Sequence, residues 1–159
     1  MSEIIVREAR KEDLEAIAEM VARLKVLNEE LDPNFKVVEN LEEEARKYAQ
    51  EVLESDSHIV LVAEDKGKGR PAGLIIARLL DRRFYKPRLK ALITDFYVKP
   101  LYRRKRLGTL LMEKLVAEAR RRGAGIVTAV FPSNNKIAEE FYTSHGFRDL
   151  QTEKYKQVD

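Results

Sequence analysis

Residues 92–108 set a strand-forming run, a basic loop and a helix start in immediate succession. Leu92 to Val98 is apolar except at Thr94 and Asp95, and Pro100 ends it. Arg103, Arg104, Lys105 and Arg106 follow, and helical spacing begins at about Leu107. A loop of free backbone N–H groups entering a helix N-terminus is an anion cradle, and its side chains here are cationic. The chemistry implied is the holding of a phosphorylated ligand. Asp95 is the sole carboxylate in the strand that feeds this cradle. It could act as a general base, hold a cationic ligand, or pair with one of the nearby arginines. Cysteine is absent, which excludes disulfides, thiolate metal sites and cysteine nucleophiles. The two histidines, His58 and His145, lack a third ligand, so no metal site is expected.

The elements that must position these groups follow from periodicity. Ile4–Val6 is a short strand. Apolar residues at Leu14, Ile17, Ala18, Val21 and Leu24 mark a helix running to Leu31, where Asp32-Pro33-Asn34 breaks it. Asn40 is placed to cap a second helix, 41–53, with Glu42, Glu43 and Glu44 in its first turn. His58–Ala63 and Ala72–Leu80 read as strands joined by a hairpin turn at Asp65–Gly69. Leu89–Val98 is the strand described above. A helix from Leu107 to about Arg122, stopped by Gly123, precedes a strand at Ile126–Phe131. A last helix ends near His145-Gly146, and the tail from Phe147 to Lys156 is expected to supply a final strand. The order β-α-α-β-β-β-α-β-α-β predicts one α/β domain over 1–159, with a mixed central sheet flanked by helices.

Charge is unevenly distributed. Residues 1–77 carry 11 basic and 18 acidic side chains, whereas 78–106 carry 11 basic and 2 acidic. Positive potential is therefore concentrated around the cradle, which suits an anionic ligand. No apolar run approaches the ~18 residues needed to span a bilayer, and Met1-Ser2-Glu3 does not open a secretory leader. A cytoplasmic protein with no membrane partner is the expectation.

Three motifs give the second half a family resemblance. Arg103-Arg104-Lys105-Arg106-Leu107-Gly108 is similar to the pattern Q/R-x-x-G-x-G/A, with Arg106 in the place of the usual glycine. Asn135, Ala138, Phe141, Tyr142, Gly146 and Phe147 match N-x-x-A-x-x-[FL]-Y-x-x-x-G-F at every spacing. Phe96-Tyr97-Val98-Lys99-Pro100 matches the strand that precedes the loop. Together they resemble the GNAT family of N-acetyltransferases, which transfer acetyl from acetyl-CoA to an amine. Asp95-Phe96-Tyr97-Val98 further resembles the polyamine and thialysine branch, although that branch has Glu where this chain has Thr94.

The resemblance implies a role for each site residue. Arg103, Arg104, Lys105, Arg106, Leu107, Gly108 and Thr109 would cradle the CoA pyrophosphate. The edge at Phe96, Tyr97 and Val98 would pair with the pantetheine arm like a peptide strand, so the following strand must splay away. Tyr142 would protonate the departing thiolate, with Phe141 beside it and Asn135 either touching the cofactor or capping its helix. Arg106 has a Cβ, so an ordinary backbone conformation is expected there. The acceptor is an amine on a small molecule or a protein, and residues 25–40 and 82–88 are expected to shape its pocket. For a polyamine, Glu29, Glu30 and Asp32 would supply acidic character. A homodimer is a family-level expectation. The alternatives are a CoA-binding regulatory domain without chemistry and, against the lack of a recognised motif, a basic nucleic-acid-binding module.

Overall fold

The computed structural model describes residues 3–159; Met1 and Ser2, read above for a leader, lie outside the described residues. Strand β1 (Ile4–Glu8) leads through one 3-10 turn, Lys11–Asp13, into α1 (Leu14–Leu31). Asp13 fixes this entry: its buried carboxylate accepts both Arg7 Nη atoms, at 2.8 and 2.9 Å, and the Arg10 amide at 2.7 Å. Helix α1 buries Ile17, Ala18, Met20 and Val21 on one stripe and stops where Pro33 removes a donor. Helix α2 (Leu41–Glu54) buries Ala45, Ala49 and Val52. Asn40 stands at its N-cap position, but its side chain makes no capping bond; the three glutamates of the first turn supply the compensating charge.

Strands β2 (His58–Asp65), β3 (Arg70–Asp81) and β4 (Leu89–Val98) form an antiparallel meander. Helix α3 (Leu107–Arg121) then returns the chain to β5 (Ile126–Ala129), which lies parallel to β4, and α4 (Lys136–Ser144) follows. The sheet order is β1-β2-β3-β4-β5. Two cores result, one on each face. Helices α1 and α2 cover Val60, Val62, Leu74, Ile76 and Tyr97. Helix α3, with Tyr142 of α4, covers Ile59, Leu61, Ile75, Ala77, Ala91 and Ile93. Gly123 ends α3 in a left-handed conformation, as its position in the sequence predicts.

The last expected strand does not form. Among the described residues nothing after Gly146 joins the sheet, and every residue from Arg148 onward is exposed. The tail alternates no apolar face, and its three large apolar residues, Leu150, Tyr155 and Val158, stay in solvent. Burial therefore offers too little to offset the entropy of ordering it. Strand β5 also stops at Ala129, two residues before its expected end. No helix is long and apolar enough to cross a membrane.

At Gly73 on β3, α3 packs closely against the sheet. A Cβ there would lie 2.6 Å from Leu107 Cδ2, 3.2 Å from Leu111 Cδ1 and 3.2 Å from the Tyr97 carbonyl. Both leucines are buried, so neither tip can swing into solvent. Gly73→Ala should cost about 1–3 kcal/mol of stability, read as a lower urea midpoint with an unchanged m value. An unaltered midpoint would show that α3 is not seated on this glycine.

Candidate active site

The centre of the site is a bulge in β4. Ile76 and Ala77 of β3 face Asp95 and Ile93, so Thr94 is the extra residue. The bulge reverses the alternation of the strand. Ala91 and Ile93 point to the α3 face, whereas Asp95 and Tyr97 point to the α1–α2 face. Thr94 does not share the face of Phe96 and Val98, as simple alternation along the strand would require. Its hydroxyl donates to Asp95 Oδ2 at 2.8 Å and lies 3.3 Å from the Tyr48 hydroxyl, on the α1–α2 side. Phe96 and Val98 pack against the opposite core.

The bulge is also where β5 leaves. Pairing runs only from Lys90–Ile126 to Ile93–Ala129, and a final bond joins the Val130 amide to the Ile93 carbonyl at 3.4 Å. Beyond it the edge of β4 is open. The Lys99 amide donates to Ala72 on β3, at 2.9 Å. By alternation, the backbone of Tyr97 and Asp95 also faces β3, and that of Phe96 and Val98 faces the open edge. The edge thus presents the amides of Phe96 and Val98 but not of Tyr97, which is buried beneath α1 and α2. Arg103 Nε reaches back to the Val98 carbonyl at 3.3 Å.

At the end of this edge lies the cradle. Among the described residues the six consecutive amides from Arg104 to Thr109 have no protein acceptor, and the first bond of the turn is Leu110 N–H to the Arg106 carbonyl at 3.0 Å. Such a row of unsatisfied donors at a helix N-terminus fits a pyrophosphate. Arg106 does not take the ordinary conformation expected of it. It lies at φ 61°, ψ 13°, and Arg104 also has positive φ, at 66°. The chain therefore adopts a glycine-like loop without glycines, at roughly 1–2 kcal/mol for each residue. Each strained position carries an exposed guanidinium, which adds positive charge to the loop. The loop is anchored behind by Tyr102, whose hydroxyl donates to the buried Asp65 carboxylate, with Lys105 Nζ 5.7 Å from the Tyr102 ring centre.

Aromatic contacts join cradle and edge to the last helix. A Cβ on Gly108 would lie 3.5 Å from Phe96 and 3.4 Å from Phe141. Phe96 meets Phe141 edge-on at 5.3 Å and Tyr142 at 6.3 Å. Tyr142 stacks on Phe131 at 5.3 Å and touches Phe147. Burial among these rings pushes its phenol well above the ordinary tyrosine value, so the group stays protonated. Its hydroxyl has no protein partner among the described residues and is free to donate.

Asp95 lies on the other face, and its partner is a lysine from α1, not one of the neighbouring arginines. Its buried carboxylate accepts Lys25 Nζ at 2.8 Å, the Tyr48 hydroxyl at 2.5 Å and the Thr94 hydroxyl. Burial and the Asp95 charge raise the Tyr48 phenol, which keeps it a donor. Lys25 and Tyr48 were not singled out from the sequence. Lys25 continues the buried stripe Ala18–Val21 at helical spacing, and a cation on that stripe is the signal that something buried awaits it.

The remaining residues are also placed. Asn135 caps α4, its Oδ1 accepting the Ala138 amide at 3.0 Å, which leaves its side-chain amide to donate. Asn134 Nδ2 donates to the Leu31 carbonyl at 3.1 Å, bringing the end of α1 to the loop after β5. Thr109 Oγ1 lies 3.4 Å from His145 Nε2. Glu29 accepts the Val37 amide and Asp32 the Asn34 amide, so two of the three acids considered for a polyamine pocket serve the α1–α2 connection.

A mixed sheet that opens beside a helix-borne anion cradle defines an acyl-CoA transferase type of fold, and the comparisons agree. The acetyltransferase (GNAT) family profile matches residues 24–147. The chain is 31% identical over 110 residues to the uncharacterized N-acetyltransferase MJ1207 of Methanocaldococcus jannaschii, covering 69% of this chain and 48% of that protein. It therefore spans about half the length of that relative. Among solved structures, the BH1408 protein of Bacillus halodurans superposes with a TM-score of 0.83 at 18% identity, covering 97% of this chain and 99% of that one. The aminoglycoside N-acetyltransferase AAC(6')-Iy in complex with CoA gives 0.74 at 15%, covering 99% and 96%. A Clostridium acetobutylicum predicted acetyltransferase with acetyl-CoA gives 0.75 at 19%, covering 99% and 96%. The chain belongs to the acetyltransferase (GNAT) family.

The left-handed Arg106 yields a direct test. Arg106→Gly should be more stable than Arg106→Ala by about 1 kcal/mol, measured by denaturant unfolding, because only glycine relieves the backbone. Equal stabilities would mean that the loop carries no such strain.

Proposed function

We propose that this chain is a single-domain, acetyl-CoA-dependent N-acetyltransferase that transfers acetyl directly to a primary amine. The observation that carries the reading is the opening of the β4 edge at the Thr94 bulge, with a carboxylate on one face and a protonated phenol on the other. The thioester brings an activated acetyl group to that edge. The amides of Arg104–Thr109 hold the pyrophosphate, and those of Phe96 and Val98 face the pantetheine arm and the thioester oxygen, where negative charge develops. Tyr142, on the α4 side, donates to the sulfur as it departs. Asp95, on the α1 side, holds the incoming ammonium and takes its proton. The amine adds to the thioester carbonyl, a tetrahedral oxyanion forms, and the carbon–sulfur bond then breaks, so an acid near the sulfur and a carboxylate near the amine serve successive stages. With no cysteine to carry the acyl group, direct transfer is the route the chain's side chains favour.

The acceptor class that suits Asp95 is an aliphatic primary amine, on a small molecule or a protein, that is cationic before reaction. The alternative of a CoA-binding regulatory domain shares the cradle but has no use for Tyr142's free hydroxyl. Tyr142→Phe should lower kcat by about 10²–10⁴-fold while acetyl-CoA affinity changes little, measured by CoA release with an amine identified from a panel of polyamines, amino acids, aminoglycosides and peptides. Wild-type turnover in this variant would remove Tyr142 from the chemistry. Acetyl-CoA binding without acetylation of any amine would favour the regulatory domain.

A further inference from the structure

Among the described residues, Lys25 is the one cation that reaches the buried carboxylate of the site. It comes from α1, its side chain is 38% exposed, and its Nζ sits 2.8 Å from Asp95 Oδ1. Asp95 itself is 2% exposed, and the Lys25 ammonium reaches it from the α1 side. Asp95 directly precedes Phe96, whose amide faces the opened edge of β4. Six residues further along the same helix, the Leu31 carbonyl is held by Asn134, in the loop between β5 and Tyr142's helix. Helix α1 therefore runs past the gap between β4 and β5, on the face opposite Tyr142. Lys25 presents an aliphatic primary amine, of the acceptor class proposed above, to the group proposed to deprotonate it.

We propose that Lys25 is a self-acetylation site, its amine standing in the acceptor's place at Asp95 and taking acetyl from the chain's own bound acetyl-CoA. The inference rests on the acetyltransferase reading. In the step, the Lys25 ammonium gives one proton to Asp95 and its nitrogen bonds to the thioester carbonyl carbon. The carbon–sulfur bond then breaks, the thiolate takes the Tyr142 proton, and the second nitrogen proton leaves to solvent, from which Tyr142 is reprotonated. The products are CoA and N-acetyl-lysine. Asp95 then releases its proton to solvent; the acetylated side chain carries no charge, so the ion pair with Asp95 is lost and the carboxylate is freed for an outside amine. Self-acetylation would thus convert a plugged site into an open one.

The full chain is incubated with isotopically labelled acetyl-CoA and no acceptor, and labelled lysines are quantified by peptide mass spectrometry over time. Lys66 and Lys68, exposed in the β2–β3 turn, report non-enzymatic labelling. Lys25 is expected to label at least about tenfold faster than either, and the excess should vanish in denatured protein and fall in Tyr142→Phe. Labelling of Lys25 at the rate of Lys66 and Lys68, in protein that binds acetyl-CoA by calorimetry and acetylates an outside amine, overturns the proposal and spares the function. Absence of acetyl-CoA binding overturns both.

Discussion

Everything at this site depends on one extra residue in one strand. Without Thr94 as a bulge, β4 would keep its alternation, and Asp95 would point into the core beneath α3, where no cation reaches it. Pairing with β5 would also have no reason to end at Ile93. The bulge does both things at once. It moves the carboxylate to the α1–α2 face, and it turns the Phe96 and Val98 amides to an edge that β5 has left. A strand edge left open inside a sheet is costly unless something pairs with it. Acetyl-CoA, with its amide-bearing pantetheine arm, is a ligand of the required shape.

The second constraint is the contact between α3 and the sheet. Gly73 lets Leu107 seat against β3, and Leu107 opens the helix whose N-terminus is the cradle. Tyr102 and Asp65 hold the loop from the other side. The loop is thereby fixed at both ends, which is how two arginines can be kept in left-handed conformations. Strain, charge and unsatisfied amides fall on the same few residues, the combination that a bound anion would stabilise.

Much of this was legible in the residues. Helix and strand order followed from periodicity, and the structure brings the loop segment and the Asn135–Phe147 pattern together through Gly108, Phe96 and Phe141. What escaped the sequence has physical reasons. A bulge leaves no compositional mark when the extra residue is a threonine, a good strand former. The partner of Asp95 was unreadable because the many arginines nearby in sequence all lie beyond the strand, whereas Lys25 arrives through tertiary packing of α1. The conformation of Arg106 was misjudged because intrinsic preference was weighed without the loop's fixed ends. The final strand was overestimated because a run of mixed residues after Gly146 can extend without finding a partner.

The central claim is that the β4 edge and the Arg104–Thr109 amides together hold acetyl-CoA. Amide hydrogen exchange, resolved by residue and followed with and without acetyl-CoA, tests it most directly. Protection should appear at Phe96, Val98 and across Arg104–Thr109, while Tyr97, already facing β3, should change little. Saturation with acetyl-CoA that leaves the Phe96 and Val98 amides exchanging as fast as before would contradict the account.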